Sequence, residues 1–396
     1  TGYLKIVEAV EAAAAVMRGE VPTPRPGPAV IGGSQVRVDA VEKVTGMARY
    51  VEDIKMPGLL HAALVRSPHR HARILSIDPT LALQQPGVLR VLTAADIPGA
   101  NTLEDYSRDE PLLNQVDDTV RMVGDAIAIV LAESQELARA GAAAVYVHYE
   151  PLTPVMDPVE AMEPGAPLLY PQGNVLSTYE VSHGDIEAAE AEADSAGSVM
   201  FEAHYETPYL EHSALERETV LAYWDEMGRL TVIGGHQEPH WARDWTARLL
   251  DLPPEQVRVI VPPTGGAFGG KQDPWPLMAG ALAAYHAPER RPVRLTYSRC
   301  ESFDASPKRH PYRMHFRIGA RPDGTLNMLW LRIVANTGAY DADGYYVAQF
   351  GAVAGCGPYR WHAVDARTWS VYTNGPKSGQ MRGFGTPQAT FGLESA

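Results

Sequence analysis

Two glycine-rich segments of this sequence each combine one phenylalanine with one basic residue. The first reads Thr-Gly-Gly-Ala-Phe-Gly-Gly-Lys at residues 264–271, and the second reads Gln-Met-Arg-Gly-Phe-Gly at residues 380–385. Glycine is used where the backbone approaches a partner too closely for a Cβ atom, or where φ is positive. The pattern predicts two loops, called the first and second glycine loops below, that close on a flat, anionic ligand.

The first glycine loop also fits the pattern of a phosphate-binding loop. Gly265 is followed by four residues and then by Gly270 and Lys271, between a predicted strand and a predicted helix. However, Gln272 stands where a nucleotide hydrolase needs a hydroxyl to bind magnesium. The sequence Asp-Pro-Trp-Pro at residues 273–276 also delays the helix. These departures disfavour nucleotide hydrolysis, and a glycine-rich turn without a ligand stays an alternative.

Two further groups of polar residues have the chemistry of a functional site. His236 and His240 lie four residues apart, but Pro239 separates them. Glu238 is also not where a zinc protease needs its glutamate, so this spacing only weakly indicates a metal site. The sequence Glu-His-Ser-Ala-Leu-Glu at residues 211–216 is either a catalytic carboxylate cluster or a loop of buried polar residues. We favour the loop, with its side chains hydrogen-bonded to the backbone.

Charge and composition disfavour several kinds of protein. The formal net charge of −14 argues against non-specific binding to nucleic acid or to an anionic membrane, because both need a basic field. No stretch of the sequence has the length of a membrane span. Lys5, Glu8 and Glu11 interrupt the apolar positions that a signal peptide would need. Cys300 and Cys356 are too few for an iron–sulfur cluster, and we expect two buried thiols in a reducing compartment.

Periodicity and proline content divide the chain into segments. Residues 3–18 have the apolar spacing of a helix, and residues 21–28 hold four prolines, which is typical of an extended linker. Alternating short strands and a helix then indicate a small α/β domain, and a second group of prolines at residues 151–171 ends it. Strands are predicted at residues 61–66, 88–92, 126–131, 145–149, 230–233, 257–261 and 292–297, a hairpin at 313–318 and 326–334, and helices at 134–144, 241–249 and 276–285.

Together these motifs resemble the molybdenum-binding portion of the xanthine oxidase/aldehyde oxidoreductase family of molybdenum hydroxylases. The resemblance covers nearly the whole chain. The segments that resemble the start of the family's α/β hammerhead domain are residues 32–33, 46–50, 57–67, 123–132 and 149–152. Gln237 and the two glycine loops resemble the first molybdopterin-binding domain. The opening residues 1–10 resemble the segment that follows the last cysteines of the family's second [2Fe–2S] domain.

The resemblance implies a fold of mixed α+β and α/β class. Its expected parts are a terminal helix of an upstream [2Fe–2S] domain at 1–20, a Pro-rich linker at 21–35, the hammerhead domain at 36–155, and the first molybdopterin-binding domain at 156–396. We expect that last domain to be incomplete, because residues 387–396 begin like a helix and stop without a cap. The glutamate that acts as general base in the family is expected beyond Ala396, so no catalytic residue is predicted in this chain.

The resemblance also implies roles for individual residues. Gln237 would hydrogen-bond an oxygen ligand of molybdenum, the Phe268 backbone N–H would donate to a metal-bound oxygen, and Arg382 would face the metal from the other side. Phe384 would pack near the substrate, and Gln272 is assigned to the substrate side. No protein atom is expected to bind the metal directly. The predicted cofactor-binding residues are Gln237, Gly265, Gly266, Ala267, Phe268, Gly269, Arg382 and Gly383.

The implied cofactor is molybdenum held by molybdopterin, usually the cytosine dinucleotide form in bacterial members. A metal-bound hydroxide would attack the substrate carbon while hydride passes to a sulfido or oxo ligand. Electrons would leave through [2Fe–2S] clusters carried by the missing upstream part. The enzyme is expected to be a cytoplasmic homodimer.

The substrate class follows from two departures. Gln272 replaces a glutamate of the purine hydroxylases, and Gly383 replaces the copper-binding cysteine of the carbon monoxide dehydrogenases. Oxidation of an aldehyde to a carboxylic acid is the interpretation left. The alternatives are hydroxylation of a purine-like heteroaromatic substrate, and a cofactor-binding fragment or subunit with no activity of its own.

Overall fold

The computed structural model of the chain describes residues 3–22, 33–34, 36–103, 107–193 and 198–396. The chain forms two compact units, Thr1–Arg49 and Tyr50–Ala396. In the first unit, helix α1 (Tyr3–Met17) confirms the helix predicted at 3–18, and a short helix α2 (Ala40–Val44) follows. Most of the predicted linker at 21–35 lies outside the described residues.

The second unit alternates strands and helices along the chain. Its strands are β1 Leu60–Arg66, β2 Ala72–Asp78, β3 Val88–Leu92, β4 Thr102–Leu103, β5 Ser107–Pro111, β6 Thr119–Val120, β7 Ala126–Ala132, β8 Tyr146–Pro151, β9 Val175–His183, β10 Val199–Thr207, β11 Thr219–Trp224, β12 Leu230–Gly234, β13 Val257–Ile260, β14 Val293–Thr296, β15 Tyr312–Ala320, β16 Leu326–Gly338 and β17 Ala363–Tyr372. Its helices are α3 Thr80–Leu83, α4 Gln135–Ala144, α5 Ile186–Ala193, α6 Pro239–Leu250, α7 Trp275–Tyr285, α8 Arg299–Ala305, α9 Gly344–Ala354 and α10 Thr386–Ser395. Every strand and helix predicted from the sequence overlaps one of these elements.

The larger sheet has seven strands in the order β13-β12-β11-β14-β1-β7-β3. Strand β1 pairs in parallel with β14, with Leu60 opposite Val293, and antiparallel with β7 on its other side. The sheet therefore contains strands from both sides of residue 155, where we divide the hammerhead domain from the molybdopterin-binding domain. That division remains a proposal. Backbone hydrogen bonds between β1 and β14 join the two proposed domains into one sheet.

A second sheet of five strands has the order β10-β15-β16-β17-β9. Strands β15 and β16 form the predicted hairpin, and Gly324 in its turn has φ +85°. Strand β17 returns parallel to β16, with Ala366 opposite Leu331. Helices α9 and α10 pack on this sheet. The Thr373 N–H donates to the Gly338 carbonyl at 3.0 Å, so the chain that follows β17 lies close to the end of β16.

Helices α6 and α7 cover the larger sheet and fix the segments on either side of the first glycine loop. Ten residues of α7 are buried, from Trp275 to Ala284, so this helix is apolar on all sides and lies inside the core. Trp245 of α6 is 1% exposed and packs into the same core. Burial of one large apolar side chain contributes about 1.5–3 kcal/mol, so these helices hold their ends firmly.

The cysteines only partly match the sequence expectation of two buried thiols. Cys356 is half-buried, but Cys300 in α8 is exposed, because the seven-residue helix turns this position away from the core. Neither forms a disulfide within the described residues. Among those residues, no helix has both the length and the apolar character needed to cross a bilayer.

Candidate cofactor site

The topology of the larger sheet brings Gln237 and the first glycine loop together. Strands β12 and β13 are parallel neighbours, with Ile233 opposite Ile260. Gln237 follows β12, and the first glycine loop follows β13. Because the carboxyl ends of parallel strands share one edge of a sheet, both segments leave the sheet at the same place. Ligands commonly bind at such an edge in open α/β sheets.

Gln237 is hydrogen-bonded to the first glycine loop at two points. The Gly269 backbone N–H donates to Oε1 of Gln237 at 3.0 Å, and the Gln237 N–H donates to the Lys271 carbonyl at 2.8 Å. Since Oε1 is used as the acceptor, the Nε2 amide group is left as a donor on an exposed residue. An amide held in this way can donate to an anionic oxygen of a ligand.

The two glycine loops contact each other directly. The Arg382 N–H donates to the Phe268 carbonyl at 2.9 Å. Gly269 has φ +106°, and a Cβ atom there would come within 2.5 Å of the Gln380 carbonyl oxygen. Only glycine allows this approach, so the glycines are needed where one loop meets the other.

Phe268 and Phe384 occupy matching strained positions in the two loops. Their φ values are +54° and +52°, a region that bulky residues rarely adopt. Such strain costs of order 1–3 kcal/mol and persists at sites where the surroundings over-determine the backbone. The Phe268 side chain is 48% exposed, whereas Phe384 packs edge-on against Phe350 at 5.5 Å.

The first glycine loop presents free backbone donors. Within the described chain, the N–H groups of Gly266, Ala267 and Phe268 donate to no acceptor. Successive unpaired N–H groups in a left-handed turn form a concavity that attracts anions. Molybdopterin carries phosphate and other anionic oxygens, so these donors fit such a group.

Lys271, the basic residue of the first glycine loop, does not face this concavity. The first loop therefore presents no positive side chain to an anionic ligand, contrary to what the sequence pattern suggested. Lys271 is 5% exposed and its Nζ lies 2.5 Å from Oε2 of Glu216. The same oxygen accepts the Gly265 N–H at 2.8 Å. Because a buried ammonium needs a paired carboxylate, Lys271 turns inward and Glu216 fastens both ends of the loop.

His212 supports both loops from below. Its Nε2 donates to the Gln380 carbonyl at 2.7 Å, and a Cβ atom at Gly270 would meet its ring at 2.9 Å. Burial lowers the pKa of His212, so the ring is neutral with its proton on Nε2. The predicted loop of buried polar residues at 211–216 is confirmed only in part, because His212 and Glu216 are bonded to backbone groups whereas Ser213 is exposed.

The second glycine loop carries the exposed cation of the site. Arg382 is exposed and its guanidinium has no partner among the residues that the structure describes. Arg309 holds the loop from behind, because its Nη2 donates to the Arg382 carbonyl at 2.8 Å. Gly383 has φ +95°, and a Cβ there would come within 2.3 Å of Pro387 in α10.

Gln272 is half-buried and is bonded to a carboxylate. Its Nε2 donates to Oε1 of Glu238 at 3.0 Å. Glu238 follows Gln237 directly, and its backbone N–H donates to Nδ1 of the buried His236 at 2.9 Å. Burial lowers the pKa of His236 to about 4, so this ring is a neutral acceptor.

In the described ranges, no three His, Cys, Asp or Glu residues come together as metal ligands.

The fold and the site together define a cofactor-binding α/β protein. Comparison with family models shows to which family it belongs. A model described as a molybdopterin cofactor-binding domain matches residues 169–396. A model described as the a/b hammerhead domain of aldehyde oxidase and xanthine dehydrogenase matches residues 45–153. The chain therefore belongs to the xanthine oxidase family of molybdenum hydroxylases, within its molybdenum-binding portion. The predicted family and the predicted fold class are confirmed.

Individual relatives differ in their named substrates. The chain is 38% identical to the nicotinate dehydrogenase large molybdopterin subunit of Eubacterium barkeri, over 91% of this chain and 83% of the relative. It is 36% identical to the xanthine dehydrogenase molybdenum-binding subunit of Escherichia coli O157:H7, over 91% and 48%. The solved aldehyde oxidoreductase of Desulfovibrio gigas superposes with a TM-score of 0.90 at 31% identity, covering 99% of this chain and 45% of that one. The chain thus spans about half the length of the last two proteins.

The structure brings the predicted residues into one place. Gln237, the first glycine loop and Gln272 form one side, and Arg382, Gly383 and Phe384 form the other, joined by the bond between Arg382 and Phe268. Their roles toward a cofactor remain proposals. Four residues support these two sides but were not predicted to do so, which are Glu216, His212, Glu238 and Arg309. The motif at 211–216 pointed to two of them, but no local signal pointed to Arg309.

Proposed function

We propose that this chain holds one face of a molybdopterin cofactor in an enzyme that oxidises an aldehyde to a carboxylic acid. The observation that carries the proposal is the group of free donors at Gly266, Ala267 and Phe268 beside the Gln237 amide and the exposed Arg382. When bound, the molybdenum supplies a two-electron oxidation in which water provides the new oxygen atom. The chain contributes binding and orientation.

Each part of the site has a proposed task. The Gln237 amide and the Phe268 N–H would hold the metal end of the cofactor, and Arg382 would face it from the opposite loop. Preorganised donors of this kind stabilise negative charge without reorganisation during the reaction. Phe384 would exclude water near the substrate. No atom of the chain is proposed to bind the metal, and the general base would come from another part of the enzyme.

Hydroxylation of a heteroaromatic substrate is the second candidate, and Glu238 is the observation that favours it. Gln272 has no carboxylate, but Glu238 lies 3.0 Å from its amide group at the edge of the site. A carboxylate there can accept a hydrogen bond from a ring N–H of a purine substrate. The nicotinate and xanthine dehydrogenases named above act on substrates of this type by their names.

The rest of the enzyme is also a proposal. We infer that the cofactor is the cytosine dinucleotide form, that electrons leave through [2Fe–2S] clusters on a separate part or subunit, and that the assembly is a cytoplasmic homodimer. A cofactor-binding subunit without activity of its own is the remaining alternative. The net charge of −14 supports a small-molecule substrate rather than nucleic acid.

The test uses the native assembly that contains this chain. Molybdenum and pterin would be measured per chain, cytidine monophosphate would be assayed after acid hydrolysis, and dye reduction would be followed with aldehydes, nicotinate and xanthine. We expect about one molybdenum per chain and dye reduction with an aldehyde. Reduction with only the heteroaromatic compounds would favour the second candidate. Absence of molybdenum and pterin from the wild-type assembly would refute both.

A further inference from the structure

A buried ion cluster links the chain segments that leave the first glycine loop and enter the second. Asp273 comes two residues after Lys271, and Lys377 comes three residues before Gln380. Nζ of Lys377 lies 3.1 Å from Oδ1 of Asp273 and 2.6 Å from Oε1 of Glu110. The exposed fractions of Lys377, Asp273 and Glu110 are 1%, 5% and 7%. One ammonium group thus bridges two carboxylates away from water.

The backbone around Lys377 is fixed as firmly as its side chain. The Lys377 carbonyl accepts the Lys308 N–H at 2.9 Å. The neighbouring Pro376 carbonyl touches Gly338, where a Cβ atom would come within 1.9 Å of its oxygen. Because these contacts hold the backbone at Lys377, its bond to Asp273 fixes the distance between the segments that flank the two loops.

The energetics of such a cluster favour a positioning role over a stabilising one. Buried ion pairs often contribute no more stability than apolar residues of the same volume. They do impose direction and distance, since each N–H···O bond is short and aligned. Lys377 and Asp273 therefore specify geometry that apolar packing at the same place would leave less defined. Glu110 supplies the second acceptor and ties the ammonium to β5.

We propose that Lys377 and Asp273 are positioning residues that hold the second glycine loop in register with the first. Their ion pair keeps the Arg382 N–H on the Phe268 carbonyl, so that both loops face a single ligand. The identity of that ligand as molybdopterin rests on the proposed function. The ion pair and its effect on the loops do not.

The test compares Asp273→Ala with Glu110→Ala in the full chain within its native assembly. Each variant removes one buried carboxyl group and leaves Lys377 with one remaining partner. Only Asp273→Ala removes the ion pair between Lys377 and Asp273, which joins the segments that flank the two loops. Hydrogen exchange of the amides in both glycine loops would be measured with the thermal midpoint and the pterin content.

We expect exchange in both loops to be at least about ten-fold faster in Asp273→Ala, with less bound pterin. Loop exchange in Glu110→Ala should stay within about two-fold of wild type. If the alanine variants do not fold, Asp273→Asn and Glu110→Gln replace them, with a smaller difference of the same sign.

Equal loop exchange in the two members of a folded pair would overturn the proposal. A wild-type assembly without pterin refutes the proposed function instead, and leaves the exchange comparison valid.

Discussion

At the scale of single residues, Gln237 is the side chain whose donor group the loop leaves free. Gln237→Ala removes that donor and the bond from the Gly269 N–H, which contributes about 1 kcal/mol of stability. Because the amide is proposed to stabilise charge during the reaction, we expect kcat to fall by about 10²-fold. Steady-state dye reduction and thermal unfolding would check this. Unchanged turnover in a folded variant would mean that Gln237 does not face the reacting centre.

Glu238 distinguishes the two candidate substrates. Glu238→Gln keeps the size of the side chain and an acceptor for Gln272, but removes the negative charge. For an aldehyde, which needs no charged partner, we expect kcat/KM within about two-fold of wild type. The measurement would include nicotinate and xanthine as well. A large loss confined to xanthine, whose ring N–H groups can donate to a carboxylate, would contradict the aldehyde assignment and favour the heteroaromatic one.

The sequence allowed prediction of the residues that face the site but not of those that hold them. Gln237 and the glycine loops carry local signals, because glycines around a bulky residue are unusual. His212 and Gln380 are separated by 168 positions, and their bond depends on how two sheets meet. The inward turn of Lys271 was not predicted, since the sequence does not reveal that Glu216 lies within reach.

At the scale of elements, the contact between the two loops depends on Gly269. Gly269→Ala places a Cβ atom 2.5 Å from the Gln380 carbonyl oxygen in a residue with φ +106°. The matched control is Gly324→Ala in the hairpin turn, where φ is +85° and nothing lies within 4 Å. We expect a loss of about 1 kcal/mol for the control and clearly more for Gly269→Ala. Urea unfolding of both variants would measure it, and equal losses would show that the loops do not press on each other.

Several strands with strong local patterns were predicted, whereas β11 and β17 were missed although both are largely buried. The hairpin of β15 and β16 was found because Pro-Asp-Gly at residues 322–324 marks its turn. Strands β9 and β10 were missed because both are half-exposed along their length and lack a clear apolar alternation. The pairing of β1 with β14 joins distant segments, and no local pattern encodes such a pairing.

At the scale of the whole molecule, buried titratable groups make the free energy of unfolding depend on pH in opposite directions. Burial raises the pKa of Glu110 to about 7 despite the opposing Lys377 charge, with Asp273 adding to the rise. The folded state therefore keeps a proton on Glu110 that the unfolded chain releases near pH 4.5. The contribution of this proton to the free energy of unfolding is present at low pH and is lost as pH rises toward 7. Burial lowers the pKa of His236 to about 4 and that of His310 to about 3. Their contribution is lost as pH falls below about 6.5.

Without the proton site at Glu110, the pH dependence of stability should follow the buried histidines His236 and His310 more closely. For Glu110→Gln, we expect the free energy of unfolding to rise more steeply between about pH 5 and 7 than in wild type. Urea titrations at several pH values would give the two slopes. A control without buried titration, Glu20→Gln on the surface of the first unit, should follow the wild-type curve. Parallel curves for Glu110→Gln and wild type would contradict the assignment of the proton to Glu110.

The pairing of β1 with β14 has a consequence for synthesis on the ribosome. β1 can pair with β7 soon after both emerge, but its other edge waits for Val293–Thr296. At about 5–20 residues per second, that partner arrives roughly eight to thirty seconds after β7. During this interval the nascent chain presents an open, apolar strand edge, which is a template for wrong pairing. The growing polypeptide is therefore exposed to wrong strand pairing until β14 closes the middle of the sheet.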